Sequence, residues 1–189
     1  MLAQRIYESL QSRNVACYCF HFISWSLANC IGGWLGQAAS GQVNKTKQKR
    51  DNRSIGKFEI FFRIITIFID LLRFRIKRWV VKRKGYAVLI ADRYFWDILV
   101  SLEYWGWKSN IIKKILFALV PDPEVPLYVD VDENVAYSRK PEHSAEYYKI
   151  KKMIYEKDVA LRATRVNSNN GEAVISQVVA LLENCGMLK

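Results

Sequence analysis

Polar side chains cluster in this chain where short apolar runs stop. YAVLIADRY (86–94) ends on Asp92, Arg93 and Tyr94; LYVDVD (127–132) carries Asp130 and Asp132; TRVNSNN (164–170) passes into Asn167, Ser168, Asn169 and Asn170. If the apolar runs are strands of an open α/β sheet, these groups gather at the strands' carboxyl ends, where such sheets bind ligands. An Asp–Arg pair at a strand end is a plain ion pair on one reading. On the other it does chemistry: the carboxylate holds a metal-bound water or takes a proton, and the guanidinium grips a phosphate bidentately. A second polar set, Glu59, Arg63, Thr66, Asp70, Arg73 and Lys77, recurs every three or four residues through an otherwise apolar stretch, 58–81. That spacing predicts one helix with a narrow polar stripe. The stripe either faces water or places Arg63, Asp70 or Arg73 on a polar cleft.

The elements that must position these residues follow from periodicity. Leu2, Ile6 and Leu10 mark an amphipathic helix over 2–13, and VACYCFHFI (15–23) reads as a strand buried on both faces. An irregular, glycine-bearing stretch follows, then NKTKQKRDNR (44–53), which is a solvated loop or a landing patch for a polyanion. Beyond the helix at 58–81, cations from Arg75 to Lys84 load its C-terminal end, as the helix dipole favours, and Gly85 stops it. The pattern then predicts a strand over 86–94, helices over 95–106 and 109–120, and a proline turn. A strand over 127–132, helices over 133–139 and 144–162, a strand over 164–169 and a closing helix over 171–184 complete the chain. Strands alternating with helices predict an α/β fold, a mostly parallel sheet with helices on both faces.

Composition bounds the function. One hundred and eighty-nine residues, 51% hydrophobic and 25% charged, suit a single domain over 1–189 and exclude wholesale disorder. Twenty-nine Lys and Arg against 18 Asp and Glu leave a net charge of +11, which calls for an anionic partner. Cys17, Cys19, Cys30 and Cys185 have neither CxxC spacing nor a nearby His pair, so reduced thiols in a cytoplasmic protein are expected, not a disulfide frame or zinc site. Residues 15–43 lack Lys, Arg, Asp and Glu, but His21, Asn29, Gly32, Gly33 and Gln37 interrupt them. A strand and a mobile loop are therefore expected there in preference to a membrane span.

IADRYFWDILVSLEYWG (90–106) resembles the thymidylate kinase segment that opens with Asp-Arg-Tyr at the end of a core strand. PDPEVPLYVDVDENVAYSRK (121–140) resembles that family's proline turn, strand, short helix and lid entry, and TRVNSNNGEAVISQVVALL (164–182) its last strand, adenine-side loop and terminal helix. The stretch 2–23 resembles the helix after the phosphate-binding loop and the strand beyond it. The resemblance implies a P-loop nucleoside triphosphate hydrolase fold, of the nucleoside monophosphate kinase type, with ATP and Mg²⁺ as donor and cofactor. It implies that Arg93 holds the acceptor phosphate beside Tyr94, that Asp92 organises magnesium and water, and that Arg139 neutralises the transferring phosphoryl. Lys140 and Lys149 are further lid cations, 139–150 is lid-like, and Asn167, Ser168 and Asn169 border the adenine. Arg63 and Asp70 are expected at the acceptor site. A small-molecule nucleotide partner and a homodimer are implied as well.

The chain departs from this family in two places. No GxxxxGK[ST] occurs, so the reading expects roughly 10–20 residues upstream of Met1 to encode the central strand and a glycine-rich loop. Without them the expectation is poor stability and no activity. FHFISWSL (20–27) stands where the family carries an Arg-Glu-Pro-Gly-like motif, with His21, Trp25 and Trp34 either stacking on a base or filling a core; the basic insertion 40–57 is equally unlike the standard enzyme. Another small phosphate acceptor is therefore open within the class. The rival reading is a non-catalytic binder of nucleotide, nucleic acid or acidic membrane. Nucleic-acid binding is not expected, since no readout motif appears, and neither is integral membrane insertion.

Overall fold

The computed structural model describes residues 2–27, 57–139, 143–167 and 171–186. Four short strands form, β1 (Cys17–His21), β2 (Val88–Asp92), β3 (Leu127–Asp130) and β4 (Thr164–Asn167). Helices α1 (Leu2–Gln11) and α2 (Phe22–Trp25) flank β1, and α3 (Lys57–Arg83) leads to β2. Helices α4 (Phe95–Tyr104) and α5 (Asn110–Leu119) follow, then β3, α6 (Glu133–Arg139), α7 (Ala145–Asp158), a 3₁₀ turn, β4 and α8 (Gly171–Asn184). Each expected strand and long helix is present, with ends shifted by a few residues. The protein is mixed α/β. The lid-like range splits: 145–150 is the first part of α7, and 140–142 lie outside the described residues, as do Cys30, Trp34 and all but the last residue of the basic run 40–57.

Among the described residues the strands make two sheets in place of one. β1 pairs parallel with β2, Cys17 opposite Val88 through His21 opposite Asp92. β3 pairs parallel with β4, Leu127 opposite Thr164 through Asp130 opposite Asn167. Alternation along β1 and β2 sorts side chains to two cores. Cys17, Val88 and Ile90 face Ile6 and Leu10 of α1 and Val174, Val178 and Leu182 of α8. Phe20 and Leu89 face Ile67, Leu71 and Phe74 of α3, with Phe95 and Leu99 of α4 and Leu116 of α5 behind them. Helices therefore cover both faces of the strand layer, as parallel sheets require.

Two local outcomes differ from the sequence pattern. The strand expected to reach Ile23 stops at His21, because His21 Nδ1 accepts the Ser24 amide at 3.2 Å and caps α2. Core aromatics continue past that cap: Phe22 is fully buried, and Trp25 meets Phe20 and Phe74 edge-on. The polar stripe of α3 turns inward. Arg63, Thr66 and Asp70 are 6%, 2% and 0% exposed, which overturns the reading in which the stripe faces water. Charges are buried there because partners meet them. Asp70 accepts the Ser26 hydroxyl at 2.6 Å, the Leu27 amide at 3.1 Å and Arg73 at 2.7 Å. Arg73 also lies 4.4 Å above the Trp25 ring, and Arg63 pairs with Glu59 at 2.9 Å and covers Trp105 at 4.6 Å.

Among the described residues, no helix is long and apolar enough to cross a membrane. Cys17, Cys19 and Cys185 are free thiols, and burial pushes the first two above the ordinary thiol range.

The Asp70 junction ties the chain after α2 to the middle of α3. Removing one partner of a buried charge set costs about 3–5 kcal/mol. Asp70→Ala is expected to lower stability by that amount in urea denaturation, and Ser26→Ala by about 1 kcal/mol. Equal, small losses from both would show that the junction is not structural.

Candidate functional site

The two sheets leave a cleft of about 690 Å³ between β2 and β3. Val88, Leu89, Ile90 and Ala91 form one wall and Leu127 and Tyr128 the other. Ile6, Leu10, Val178 and Leu182 close it on the α1/α8 side, and Phe74, Trp96 and Tyr155 on the other. Its interior is apolar. One mouth lies at the carboxyl end of β2, with Arg93, Tyr94 and Asp97. The other lies near the proline turn, with Asp122, Glu124, Arg78 and Lys82.

Local backbone geometry builds the first mouth. β2 ends at Asp92, and Arg93 adopts φ 72°, the left-handed region that costs a residue with a Cβ. That kink turns the chain from strand to helix and sends the Arg93 side chain back toward α4. Asp97, in the first turn of α4, accepts the Tyr94 amide at 3.0 Å and Arg93 Nη1 at 2.8 Å. The Tyr155 hydroxyl, from α7, donates to the same Asp97 oxygen as Arg93 does. Tyr94 donates its hydroxyl to the Pro121 carbonyl, which anchors the proline turn. Asp97 is thus the pin that holds Arg93, the start of α4 and α7 in one place.

The electrostatics follow from that pin. The Asp97 carboxylate raises the Arg93 guanidinium above its ordinary range, against the opposing effect of burial. Burial raises the Tyr94 hydroxyl, and burial with Asp97 raises Tyr155 well above its usual value. Lys151, one turn before Tyr155, donates to Ser101 Oγ at 3.0 Å and sits 5.3 Å over the Tyr147 ring. Burial pushes its ammonium down to about 8, with Arg93 adding to the fall and Asp97 opposing it.

Asp92 lies beside His21 across the β1–β2 pair, Nε2 to Oδ2 at 3.8 Å. Because Nδ1 accepts the Ser24 amide, a neutral His21 carries its proton on Nε2, toward Asp92. His21 therefore serves as a cap and as the neighbour of Asp92. Among the described residues, no three His, Cys, Asp or Glu side chains group as a metal site. Magnesium uses one or two carboxylates and takes the rest of its shell from phosphate and water. A single partly exposed carboxylate, 29% in Asp92, fits that manner of binding.

The structure brings Asp92, Arg93 and Tyr94 together at one mouth. Arg63 and Asp70 are buried in the α3 stripe and do not line the cleft. Arg139 closes α6 and Asn167 closes β4, with their side chains outside the described part; Lys140, Ser168 and Asn169 lie outside it altogether. Asp130, at the end of β3, binds Arg165 at 2.5 Å and Lys152 at 3.1 Å. Those two cations hold its carboxyl below the ordinary range, outweighing burial. Sequence reasoning missed Asp97, Tyr155 and Lys151. Asp97 had a signal, four residues after Arg93 on one helical face. Lys151 and Tyr155 come from a distant helix and had none.

Lys151 carries a stability signature. Its folded value of about 8 lies below the ordinary 10.5, so between the two the unfolded chain binds more protons and stability rises with pH. Replacing the ammonium by an apolar side chain, Lys151→Met, is expected to raise the thermal midpoint at pH 7 by about 2–6 °C. That advantage should shrink as pH climbs from about 8 to 10.5. A difference that stays constant over this range would contradict the assignment.

No protein-family model matches the chain, and no curated protein matches it. Function is therefore argued from the geometry of the β2 mouth and the cleft and from the motif resemblance.

Proposed function

We propose that the protein is a thymidylate-kinase-like phosphotransferase of the P-loop fold. It moves a phosphoryl group from ATP–Mg²⁺ to a nucleoside monophosphate, with dTMP the first acceptor to test. The observation that carries the reading is Arg93: a guanidinium on a left-handed residue at the carboxyl end of a parallel strand, pinned by Asp97 and still 45% exposed. That is the place and the residue type that a phosphate acceptor site calls for.

The cleft supports the same reading. β2 and β3 each pair on one edge only among the described residues. A further extended segment lying parallel between them would pair both open edges and fill the apolar cleft. The sheet would then be continuous, with that segment in the middle and leading into α1. A glycine-rich loop between it and α1 would present its amides to the donor phosphates at the helix N-terminus.

In this reading Arg93 binds the acceptor phosphate and Tyr94 shapes its surroundings. Asp92 orients magnesium-bound water, Arg139 and Lys140 neutralise charge on the transferring group, and Asn167, Ser168 and Asn169 border the donor base. Catalysis would consist of positioning and charge neutralisation. Arg63 and Asp70 are not carried into it, since both serve the α3 interior.

The test is phosphoryl transfer by the full-length protein from ATP–Mg²⁺ to a panel of nucleoside monophosphates. Turnover is expected, with a saturable rise in melting temperature on adding ATP–Mg²⁺. Arg93→Ala is expected to lower kcat/KM for the acceptor by about 100-fold or more. If no acceptor is phosphorylated, and the protein instead binds polyanions in a manner that vanishes at moderate salt, the non-catalytic anion-binding reading replaces this one.

A further inference from the structure

The outer side of α3 changes character along its length. From Phe58 as far as Leu72 its exposed side chains are large and apolar; over the last turns they are Arg75, Ile76, Trp79, Lys82 and Arg83, with Lys84 just beyond. Steps of one, three and four residues keep the five on one side of the helix, so cations and apolar groups alternate there. Ile76 and Trp79 are 55% and 56% exposed. No Asp or Glu occurs from 71 to 91. Lys77 and Arg78 are already engaged, on the Tyr18 hydroxyl at 3.3 Å and on Glu124 at 2.8 Å. Arg75, Lys82, Arg83 and Lys84 have no acid partner among the described residues.

Four uncompensated cations require an anionic partner, and the two apolar side chains among them narrow its kind. An acidic bilayer surface meets both needs: headgroup charge for the cations, and the boundary of the acyl chains for Ile76 and the Trp79 ring. Tryptophan settles at that depth because its ring is apolar and its N–H is polar. A nucleic acid fits less well. It has no use for Ile76, and the Trp79 ring on which a base would stack is covered by the Arg83 guanidinium at 4.2 Å. The place in the fold also suits docking. α3 leads into the amino end of β2, whereas Arg93 follows its carboxyl end. The five residues of β2 separate the two by about 17 Å, so contact at the end of α3 leaves the β2 mouth open. Of the proline-turn acids, Glu124 is paired with Arg78, and Asp122 is one charge against four.

We propose that residues 75–84 dock the protein on an acidic phospholipid surface, with Arg75, Lys82, Arg83 and Lys84 on the headgroups and Ile76 and Trp79 at the acyl boundary. The contact is peripheral, with the end of α3 lying along the surface. The inference is independent of the phosphotransferase reading, since lipid binding is measured without turnover.

Cosedimentation of the full-length protein with vesicles of phosphatidylcholine and phosphatidylserine, at about 3:1, tests this beside vesicles of phosphatidylcholine alone. Binding is expected to the first and not to the second, and it should weaken as salt is added. The triple variant Lys82→Gln, Arg83→Gln, Lys84→Gln is expected to lower affinity for the acidic vesicles by roughly 100-fold, about 5-fold per cation. It keeps the basic run 44–53, so binding that survives in it arises elsewhere. Ile76→Ser, which leaves the charge unchanged, is expected to lower affinity by about 10-fold. Brominated phospholipid should quench part of the protein's fluorescence, and that quenching should vanish in Trp79→Phe. Circular dichroism checks the fold of each variant, and Trp79→Phe, with every cation retained, keeps the test decisive if the triple variant unfolds. No binding to acidic vesicles, equal binding to neutral ones, a folded triple variant with wild-type affinity, or quenching unchanged in Trp79→Phe would each overturn the proposal. So would tighter binding to duplex DNA than to acidic vesicles at the same salt, which would make nucleic acid the partner.

Discussion

A parallel strand is stable when both its faces and both its edges are covered, because its backbone groups need partners and its side chains are apolar on each side. Here the faces are covered, and among the described residues each strand pairs on one edge only. α1 and α8 pack on one side of the strand layer and α3, α4 and α5 on the other, while β2 and β3 each turn toward the cleft an edge with no strand partner among the described residues. The rest of the molecule is arranged around that cleft. Its walls are strand residues, its closure is helix side chains from both cores, and its polar mouth is where β2 ends.

The polar mouth is rigid for a local reason. A left-handed arginine is costly unless the surroundings over-determine it. Asp97 supplies that determination through the Tyr94 amide and the Arg93 guanidinium. Tyr155 brings α7 to the same carboxylate, so α7 cannot shift without disturbing Arg93. A second network binds α4, α5 and α7 further out: Lys113 bridges Glu103 and Asp158, and Lys157 also reaches Glu103. The mouth therefore rests on secondary structure fixed at two points, which suits a group that must hold one geometry.

Strand and helix positions were legible in the sequence because apolar periodicity is a local property. The residues 88–92 and 127–130 announce themselves by β-branched and apolar content, and 133–139 and 171–184 by their turn-to-turn pattern. The direction in which α3 faces was not legible. Periodicity shows that Glu59, Arg63, Thr66, Asp70 and Arg73 share a side; it does not show whether that side meets water or protein. The answer depends on Ser26, Leu27 and Trp25, more than 40 residues away. The site divides in the same way. Asp92, Arg93 and Tyr94 were readable as a strand end, whereas the φ of Arg93 and the approach of Tyr155 and Lys151 depend on tertiary packing. The separation into two sheets lies between these cases: strand content was visible, and pairing among the described residues followed from which edges found partners.

α3 borders the cleft and also bears exposed apolar side chains on its outer side. Phe74 and Arg78 contribute to the cleft, Phe61, Ile65, Phe68, Ile69 and Leu72 lie exposed on the outer side, and Trp79 does both. The helix is held from within by Asp70 and Arg73, and at its far end by Arg78 on Glu124, 2.8 Å away in the proline turn. Tyr94 grips that same turn at Pro121. Two contacts therefore connect α3 to the β2 mouth: Arg78 on the proline turn, and Tyr94, beside Arg93, on the same turn. Asp70 fixes the helix against the chain after α2, because sliding α3 would break its contacts to the Ser26 hydroxyl and the Leu27 amide.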